Sequence, residues 1–523
     1  MVLPFPLALP FVVLLLCASL WAAYLVADRL VPAAPAHVRL CATAIVHLWF
    51  AHVTFNVLTA LHAFRLLWAS LVVLALTAAA HHLVRKEHAL TLLCADIASF
   101  RQGLRAFVRS PVRAPVLAIG TGLVAFRALR AIVSPPLAWD ALLYHCYKPA
   151  LWVQTGTQLI EPAPDQWSYL AFFPDGAQVP WAWAMLAPRS DALVAPAALG
   201  FWGLCGAAAY GLARCFDSGR SQSALAALAT AFLPALANQS ASSYVDTQVL
   251  ALFLLAIVFV TRLWRTPSPG DAVLALATFG LGAAVKLSGV PAFCIGSLVV
   301  VALVSRWQRP APSRIALFAA GVTAALAVCA PGYLRTWLLT GSPTYPVALT
   351  LFGHTIFDGN VELAQLYSGD LLHVRPGHDD LAEFARAVVL PFAPPQHEHL
   401  GFGLGAPALL LLGAMGVAQL SRDRRRRLPV MLLLGLAALP ALTVLFSPGF
   451  LAHRTYWKFS TARLIVQLPA SAAITAASVR TRFARDTLTA IVALDLLALV
   501  PQGTSAPAMD ALAALAPSMA LIA

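Results

Sequence analysis

Charge is what this sequence has least of: Asp, Glu, Lys and Arg make up 11% of its 523 residues, while 60% are hydrophobic. A soluble domain carries about a quarter charged residues, so a chain bathed in water along its whole length is excluded. Paired cysteines are absent too. The eight present (Cys17, Cys41, Cys94, Cys146, Cys205, Cys215, Cys294 and Cys329) show no CxxC spacing and mostly sit in or beside apolar runs. They read as small buried hydrophobes, not a disulfide framework. No glycine-rich phosphate loop, nucleophile elbow or zincin motif occurs. No internal repeat is evident, which counts against a transporter built from two related halves. The first apolar run, 3–26, lacks a basic leader, which argues against a cleaved signal peptide.

What is abundant is uninterrupted apolar length. About fourteen runs approach the length that crosses hydrocarbon, near 5–26, 41–60, 66–82, 114–134, 191–212, 222–242, 247–261, 272–286, 290–304, 315–334, 402–420, 428–446, 464–480 and 487–501. Barrel strands would be short and alternating, so these are helices. The expected fold is an all-α polytopic membrane protein whose outer-face loops carry interfacial helices. It divides into N-terminal helices (1–134), a first large outer loop (135–190), a helical core (191–334), a second large outer loop (335–401), and C-terminal helices with a short tail (402–523).

The formal charge of +13 does not point to nucleic acid, because the cations are spread over short loops between spans. Arg85, Lys86, Arg101, Arg105, Arg109 and Arg113 fall in loop 83–113, where 90–100 has the pattern of an interfacial helix. Arg306, Arg309 and Arg314, then Arg422 and Arg424 to Arg427, then Arg480, Arg482 and Arg485 mark further loops. Counting off the spans places all of them on one side, the cytoplasmic side by the positive-inside rule. The opposite side receives most of the acids: Asp140, Glu161, Asp165, Asp175, Asp246, Asp358, Asp370, Asp379, Asp380 and Glu398.

The stretch from Trp139 to Trp183 is too polar to span and dense in Trp, Tyr and Phe, the residues of membrane–water interfaces. Residues 138–147 have helical spacing, which puts Asp140, Tyr144 and Lys148 on one face, and Pro149 should kink or end that helix. The plain reading makes Asp140 a helix-terminus residue and Lys148 a solvated one. The functional reading makes Asp140 a base or metal ligand at the membrane surface. Asp246 begins a span, Lys286 and Arg335 end spans, and Arg454, Lys458 and Arg463 precede one. Arg127 and Arg130 lie near the outer end of the fourth. Any one of these cations could simply snorkel. Together they gather cations suited to a phosphate at headgroup level. In loop 335–401, His354, His373, His378, His397 and His399 stand near Asp379, Asp380 and Glu398. Without helical His-x3-His spacing a solvated loop explains them better than a metal site.

The string Trp139-Asp140-Ala141-Leu142-Leu143-Tyr144-His145, followed by Trp152-Val153-Gln154-Thr155-Gly156, resembles the first outer loop of bacterial GT-C glycosyltransferases. These are relatives of the protein mannosyltransferases and of the lipid A aminoarabinose transferase. Tyr244-Val245-Asp246 at a span start, Lys286 at a span end and Thr340-Gly341-Ser342-Pro343-Thr344-Tyr345-Pro346 after a span fit the same order, over roughly 135–346. The resemblance implies a polyprenyl-phosphate sugar donor, transfer to an acceptor hydroxyl on a lipid, glycan or protein at the outer face of the inner (plasma) membrane, and a loop aspartate as base. Protein mannosyltransferases have adjacent acids in that loop. Here Ala141 follows Asp140, and four spans precede the loop where one is usual. The missing second acid argues against a protein acceptor of their kind; the extra spans depart from the family's usual arrangement.

On this reading Asp140 is the catalytic base. Tyr144, His145 and Tyr345 help position acceptor or sugar, and Lys286, Arg335 and Arg463 receive the lipid phosphate. Asp246 orients one of these cations or assists a divalent metal; the sequence names no cofactor. The rivals are a flippase for lipid-linked sugars, which would carry polar residues at mid-span, where Asp495 is almost the only candidate, and a surface-polysaccharide polymerase or ligase centred on loop 335–401.

Overall fold

In hydrocarbon, a run of Ala, Leu and Val can satisfy its backbone internally only as a helix, and the structure is about 80% helical. This computed structural model describes residues 5–84, 89–134, 136, 138, 140–158, 170–307, 311–351, 353–360, 389, 401–445 and 461–503. Of the residues singled out above, Arg85, Lys86, Trp139, Glu161, Asp165, Arg309, Asp370, Arg454 and Lys458 lie outside them, as does the His/Asp tract from His373 to His399. The α-helices are α1 (Phe5–Leu30), α2 (Ala36–Ala60), α3 (Leu66–Val84), α4 (Ala89–Val108), α5 (Arg113–Val133), α6 (Tyr147–Thr155), α7 (Val179–Leu186), α8 (Val194–Cys215), α9 (Arg220–Ala231) and α10 (Pro234–Ala237). There follow α11 (Asp246–Arg265), α12 (Pro269–Val285), α13 (Gly289–Ser305), α14 (Ala311–Thr340), α15 (Ala406–Ser421), α16 (Arg424–Leu445), α17 (Thr461–Leu464), α18 (Gln467–Ala476) and α19 (Arg482–Gly503). One small antiparallel hairpin, β1 (Leu349–Leu351) with β2 (His354–Phe357), departs from an all-α chain among the described residues.

Seven helical segments are long and apolar enough to cross a membrane: α1, α2, α3, α5, α8 with its leading turn, α11 and α14. Apolar side chains such as Leu14, Leu67, Leu74, Leu298 and Leu338 stand exposed along the helices, which suits lipid and not water. The expected fourteen spans are met only in part. Helices α12, α13 and α15 are apolar but only 17, 17 and 16 residues long. Two of the expected spans are broken. Segment 222–242 stops as a helix at Ala231, restarts at Pro234 and ends again at Ala237, because proline bars the backbone bond a continuing helix needs. Segment 464–480 is reduced to α17 and the ten-residue α18.

Such breaks are tolerated at membrane depth only where protein satisfies the freed backbone groups. Here Ala235 donates its amide to Gly401 O at 3.0 Å. Arg127 of α5 donates to Ala237 O at 2.6 Å and to Ser240 Oγ at 3.1 Å. Arg127 therefore neither snorkels nor joins the other cations; it is buried and splices the broken helix. Helix α18 lies against α15 so closely that a Cβ on Gly416 would sit 1.9 Å from Thr475 O.

Loop 83–113 contains a full helix, α4. Its Asp96 accepts from Arg39 Nε at 2.8 Å and Nη2 at 3.0 Å and from Tyr24 OH at 3.0 Å, while Arg39 Nη1 reaches Asp28 at 3.2 Å. This buried network fastens α4 to α1 and α2. Leu90, Phe100 and Leu104 of α4 stay exposed, beside Arg101 and Arg105, the pattern of a helix lying in an interface.

Helix α11 forms the axis. Leu250, Ala251, Leu254, Leu255, Ile257, Val258, Phe259 and Val260 each have 0% exposure. Asp246 at its start and Arg265 at its end each sit in a charged cluster, so the molecule has two chemically distinct ends.

Candidate functional site

Loop 135–190 reaches the site through its aromatic residues. Trp152 and Trp181 have no exposed surface. Trp152 packs on Phe55 of α2 at 5.3 Å between ring centroids, and Trp183 meets Phe64 edge-on at 5.5 Å and donates to Ala51 O at 3.1 Å. These rings, which the sequence suggests for the membrane interface, instead seat the loop on the bundle. Gly176 completes the seating, since a Cβ there would lie 2.6 Å from Ala284 O. His52 Nε2 lies 2.9 Å from Gly176 O and Gln248 Nε2 donates to Ala177 O at 2.9 Å. The loop is thereby held against the end of α12, next to Lys286.

Residues 138–147 do not form the expected helix. Ala141–His145 is a π-type turn, a break falls at Cys146, and α6 starts at Tyr147. Pro149 does not end that helix; it lies in its first turn, where its missing N–H has no partner to lose. The wider turn shifts the phase, so Asp140 and Lys148 go to different clusters.

In the first cluster Asp140 Oδ2 lies 2.9 Å from Arg463 Nη2, and its side chain is 20% exposed. It makes no capping bond to the turn that follows it. Arg463 Nη1 faces Asp246 Oδ2 at 3.8 Å, and Lys286 Nζ donates to Asp246 Oδ1 at 2.8 Å. Two carboxylates and two cations thus alternate from Asp140 to Lys286. The Arg463 guanidinium lies 4.5 Å from the centre of the Tyr244 ring, a cation–π contact, and its Nε has no hydrogen-bond partner. Burial alone would lower the Arg463 pKa, but Asp140 and then Asp246 outweigh it and the value is raised.

The Tyr144 and His145 rings lie 4.0 Å apart between centroids, tilted by 40°. Burial, then the Asp140 charge, pushes the Tyr144 phenol well above its ordinary value, so it remains a donor. Burial, then the Arg463 charge, lowers His145 well below its own, so the imidazole is neutral. Gln178 Nε2 lies 2.9 Å from His145 Nδ1. With that amide assignment Nδ1 accepts and the ring proton sits on Nε2.

The second cluster centres on Asp175. Its carboxylate accepts from Lys148 Nζ at 2.7 Å, from Gln158 Nε2 at 3.1 Å and from Arg335 Nη2. Lys148 is buried, not solvated; burial and then the Arg335 charge push its ammonium well below the ordinary lysine value. Arg335 therefore does not sit with Lys286 and Arg463 but in this neighbouring group. A cavity beside it is lined by Asn56, Phe172, Phe173, Leu287, Arg335 and Tyr345. Tyr345 packs edge-on against Phe172 at 4.6 Å. Phe173 joins the clusters: it lines the cavity and meets Tyr144 edge-on at 6.1 Å.

The structure thus brings Asp140, Tyr144, His145, Asp246, Lys286 and Arg463 together and sets Arg335 and Tyr345 alongside. Sequence reasoning gave no site role to Tyr244, Gln178, Lys148 or Asp175. The signal for Asp175 was Phe173-Pro174-Asp175-Gly176, an acid in a rigid aromatic setting beside the glycine that the close approach to Ala284 requires. Among the described residues no group of three or more His, Cys, Asp or Glu is placed to hold a metal ion. The first cluster offers a partly exposed carboxylate to take a proton and two cations to face an anion, all at one end of the bundle. Comparison with protein-family models, curated proteins and solved structures finds no match.

Proposed function

We propose that the chain is a membrane glycosyltransferase that moves a sugar from a polyprenyl-phosphate donor to an acceptor hydroxyl, with its reaction centre at the outer face of the plasma membrane. The observation that supports this most is the state of Asp140. A carboxylate that only terminated a helix would bond to the backbone of the first turn. Asp140 makes no such bond, keeps one-fifth of its surface open, and is oriented by Arg463. The GT-C-like order of motifs around Asp140, Asp246, Lys286 and Tyr345 points the same way.

The chemistry is a single displacement. The acceptor oxygen attacks the anomeric carbon as its proton passes to Asp140, and the bond from that carbon to the phosphate oxygen breaks. The anomeric centre inverts. Charge growing on the departing lipid phosphate is stabilised by Lys286 and Arg463. A phosphate is already a good leaving group, so the mechanism needs one carboxylate, not two. Neutral His145 and the Tyr144 phenol donate to sugar or acceptor oxygens.

The test is sugar transfer by purified protein supplied with a panel of radiolabelled polyprenyl-phosphate sugars. Asp140→Asn preserves size and an oxygen to accept from Arg463 but cannot take the proton, so turnover falls by roughly 10²–10⁴ with thermal stability kept. A stable Asn variant with wild-type turnover ends the assignment of Asp140 as base. Wild-type protein inert toward every donor in the panel ends the transferase reading.

A further inference from the structure

The other end of the bundle carries a second cavity that the transfer reaction does not use. It lies where α1, α8 and α11 end and α12 begins, and Arg29, Arg214, Arg262 and Arg265 line it together with Asp217 and Asp271. Both aspartates are already engaged. Asp217 is held by Arg265 at 2.8 Å and by Arg426 at 2.9 Å, and Asp271 by Arg262 at 2.9 Å. Four lining arginines thus face two lining carboxylates, while Arg426, outside the lining, is also held by Asp423 at 3.0 Å.

Helix C-termini carry partial negative charge that offsets some of this excess, and Arg214 spends one Nη on Ser218 O. The remainder has no counter-charge. Arg29 is exposed and makes no hydrogen bond or ion pair among the described residues, and Arg265 Nε is buried without a partner. The walls are stiff: Pro32, Pro35, Pro267 and Pro269 line the cleft. At its base Gly270 meets the Leu30 carbonyl so closely that a Cβ would lie 1.9 Å from the oxygen. A rigid, cation-rich cleft whose guanidinium forks are not all satisfied matches a phosphate group. Its position at the helix ends is the depth of lipid headgroups, where basic pockets between spans bind anionic lipids.

We propose that this cleft binds a phosphate group, either the headgroup phosphate of an anionic phospholipid or free phosphate, independently of the transferase reading. The test uses full-length protein, delipidated in neutral detergent. Native mass spectrometry then measures retention of phosphatidylglycerol against phosphatidylcholine of matched chains, and thermal shift measures the effect of inorganic phosphate. Arg29→Gln alters an exposed residue and leaves the fold intact; Arg29→Gln/Arg214→Gln removes a second lining charge. Arg482→Gln is the control. It is 88% exposed at the same end, where Ser478 and Val479 meet Ser218 and Gln222.

Wild-type protein should prefer phosphatidylglycerol, with affinity falling about fivefold per lining arginine removed and unchanged in Arg482→Gln. Competition by inorganic phosphate with that lipid preference intact assigns the site to the headgroup. A phosphate-induced rise in Tm that Arg29→Gln abolishes, with no preference between the lipids, assigns it to the free ion. Equal loss in Arg482→Gln means diffuse surface charge and overturns the proposal. So does the absence of both lipid preference and phosphate shift.

Discussion

Arg463 stands between two carboxylates, and its two proposed duties separate experimentally. It orients Asp140 through Nη2 and faces Asp246 through Nη1, and in the proposed reaction it also meets the donor phosphate. Arg463→Gln should therefore lower kcat and raise KM for the donor together, each by roughly ten- to a hundredfold, the size of a lost charge-assisted bond. Arg463→Lys restores the charge but not the fork, so KM should recover more than kcat. Lys286→Gln leaves Asp140 with its partner, so it should raise donor KM and lower kcat only by the lost stabilisation of the departing phosphate, a smaller kcat loss than in Arg463→Gln. Steady-state kinetics with the lipid donor varied checks this, and kcat untouched in Arg463→Gln would show that the guanidinium does not orient the base. At this scale the first cluster was legible because a charge flanking an apolar run is costly and stands out in sequence. The Asp175 cluster was not. Lys148, Gln158 and Arg335 converge on it from separations of 27, 17 and 160 residues; alone, Lys148 reads as solvated and Arg335 as a span-end cation for the lipid phosphate. The π-type turn at Ala141–His145 was equally hidden, because helical spacing looks the same until the turn widens.

Elements divide along the same physical line. Helices such as α1, α2, α5, α11 and α14 were readable, since a long apolar run in lipid has one stable conformation. The broken pairs α9/α10 and α17/α18 were not. Apolar content sums along a run and carries no record of where the backbone bonds stop, and the groups that satisfy the break, Arg127 and Gly401, lie far away in sequence. A helix as short as α18 depends on close contact with its neighbours. Gly416→Ala places a methyl against the Thr475 carbonyl, and the backbones must part. The expected cost is about 1–3 kcal/mol, seen as a lower Tm in detergent. An unchanged Tm would mean that α15 and α18 do not pack as described.

For the whole molecule the testable quantity is sidedness. The basic end, with Arg425 exposed, should face the cytoplasm, and the Asp140 end, with Ser190 exposed in the turn before α8, should face out. In a background without the eight native cysteines, a cysteine at Ser190 should react with an impermeant thiol reagent in intact cells, and one at Arg425 only after permeabilisation. The reverse pattern would place the reaction centre inside. Two ends with opposite chemistry also give α11 a property that neither end has alone. Nineteen steps of a helix rise separate Asp246 from Arg265, about 29 Å, close to the ~30 Å of a bilayer's hydrocarbon. Helices with room to move absorb a thickness mismatch by tilting. Helix α11 is enclosed along its length and pinned by ion pairs at both termini, so it is a fixed ruler. In lipids with longer acyl chains the Asp140 carboxylate would sink below the headgroups, away from a polar acceptor. In thinner ones the lipid phosphate would ride below Lys286. Turnover in vesicles of graded chain length should therefore peak where the hydrocarbon matches this one helix.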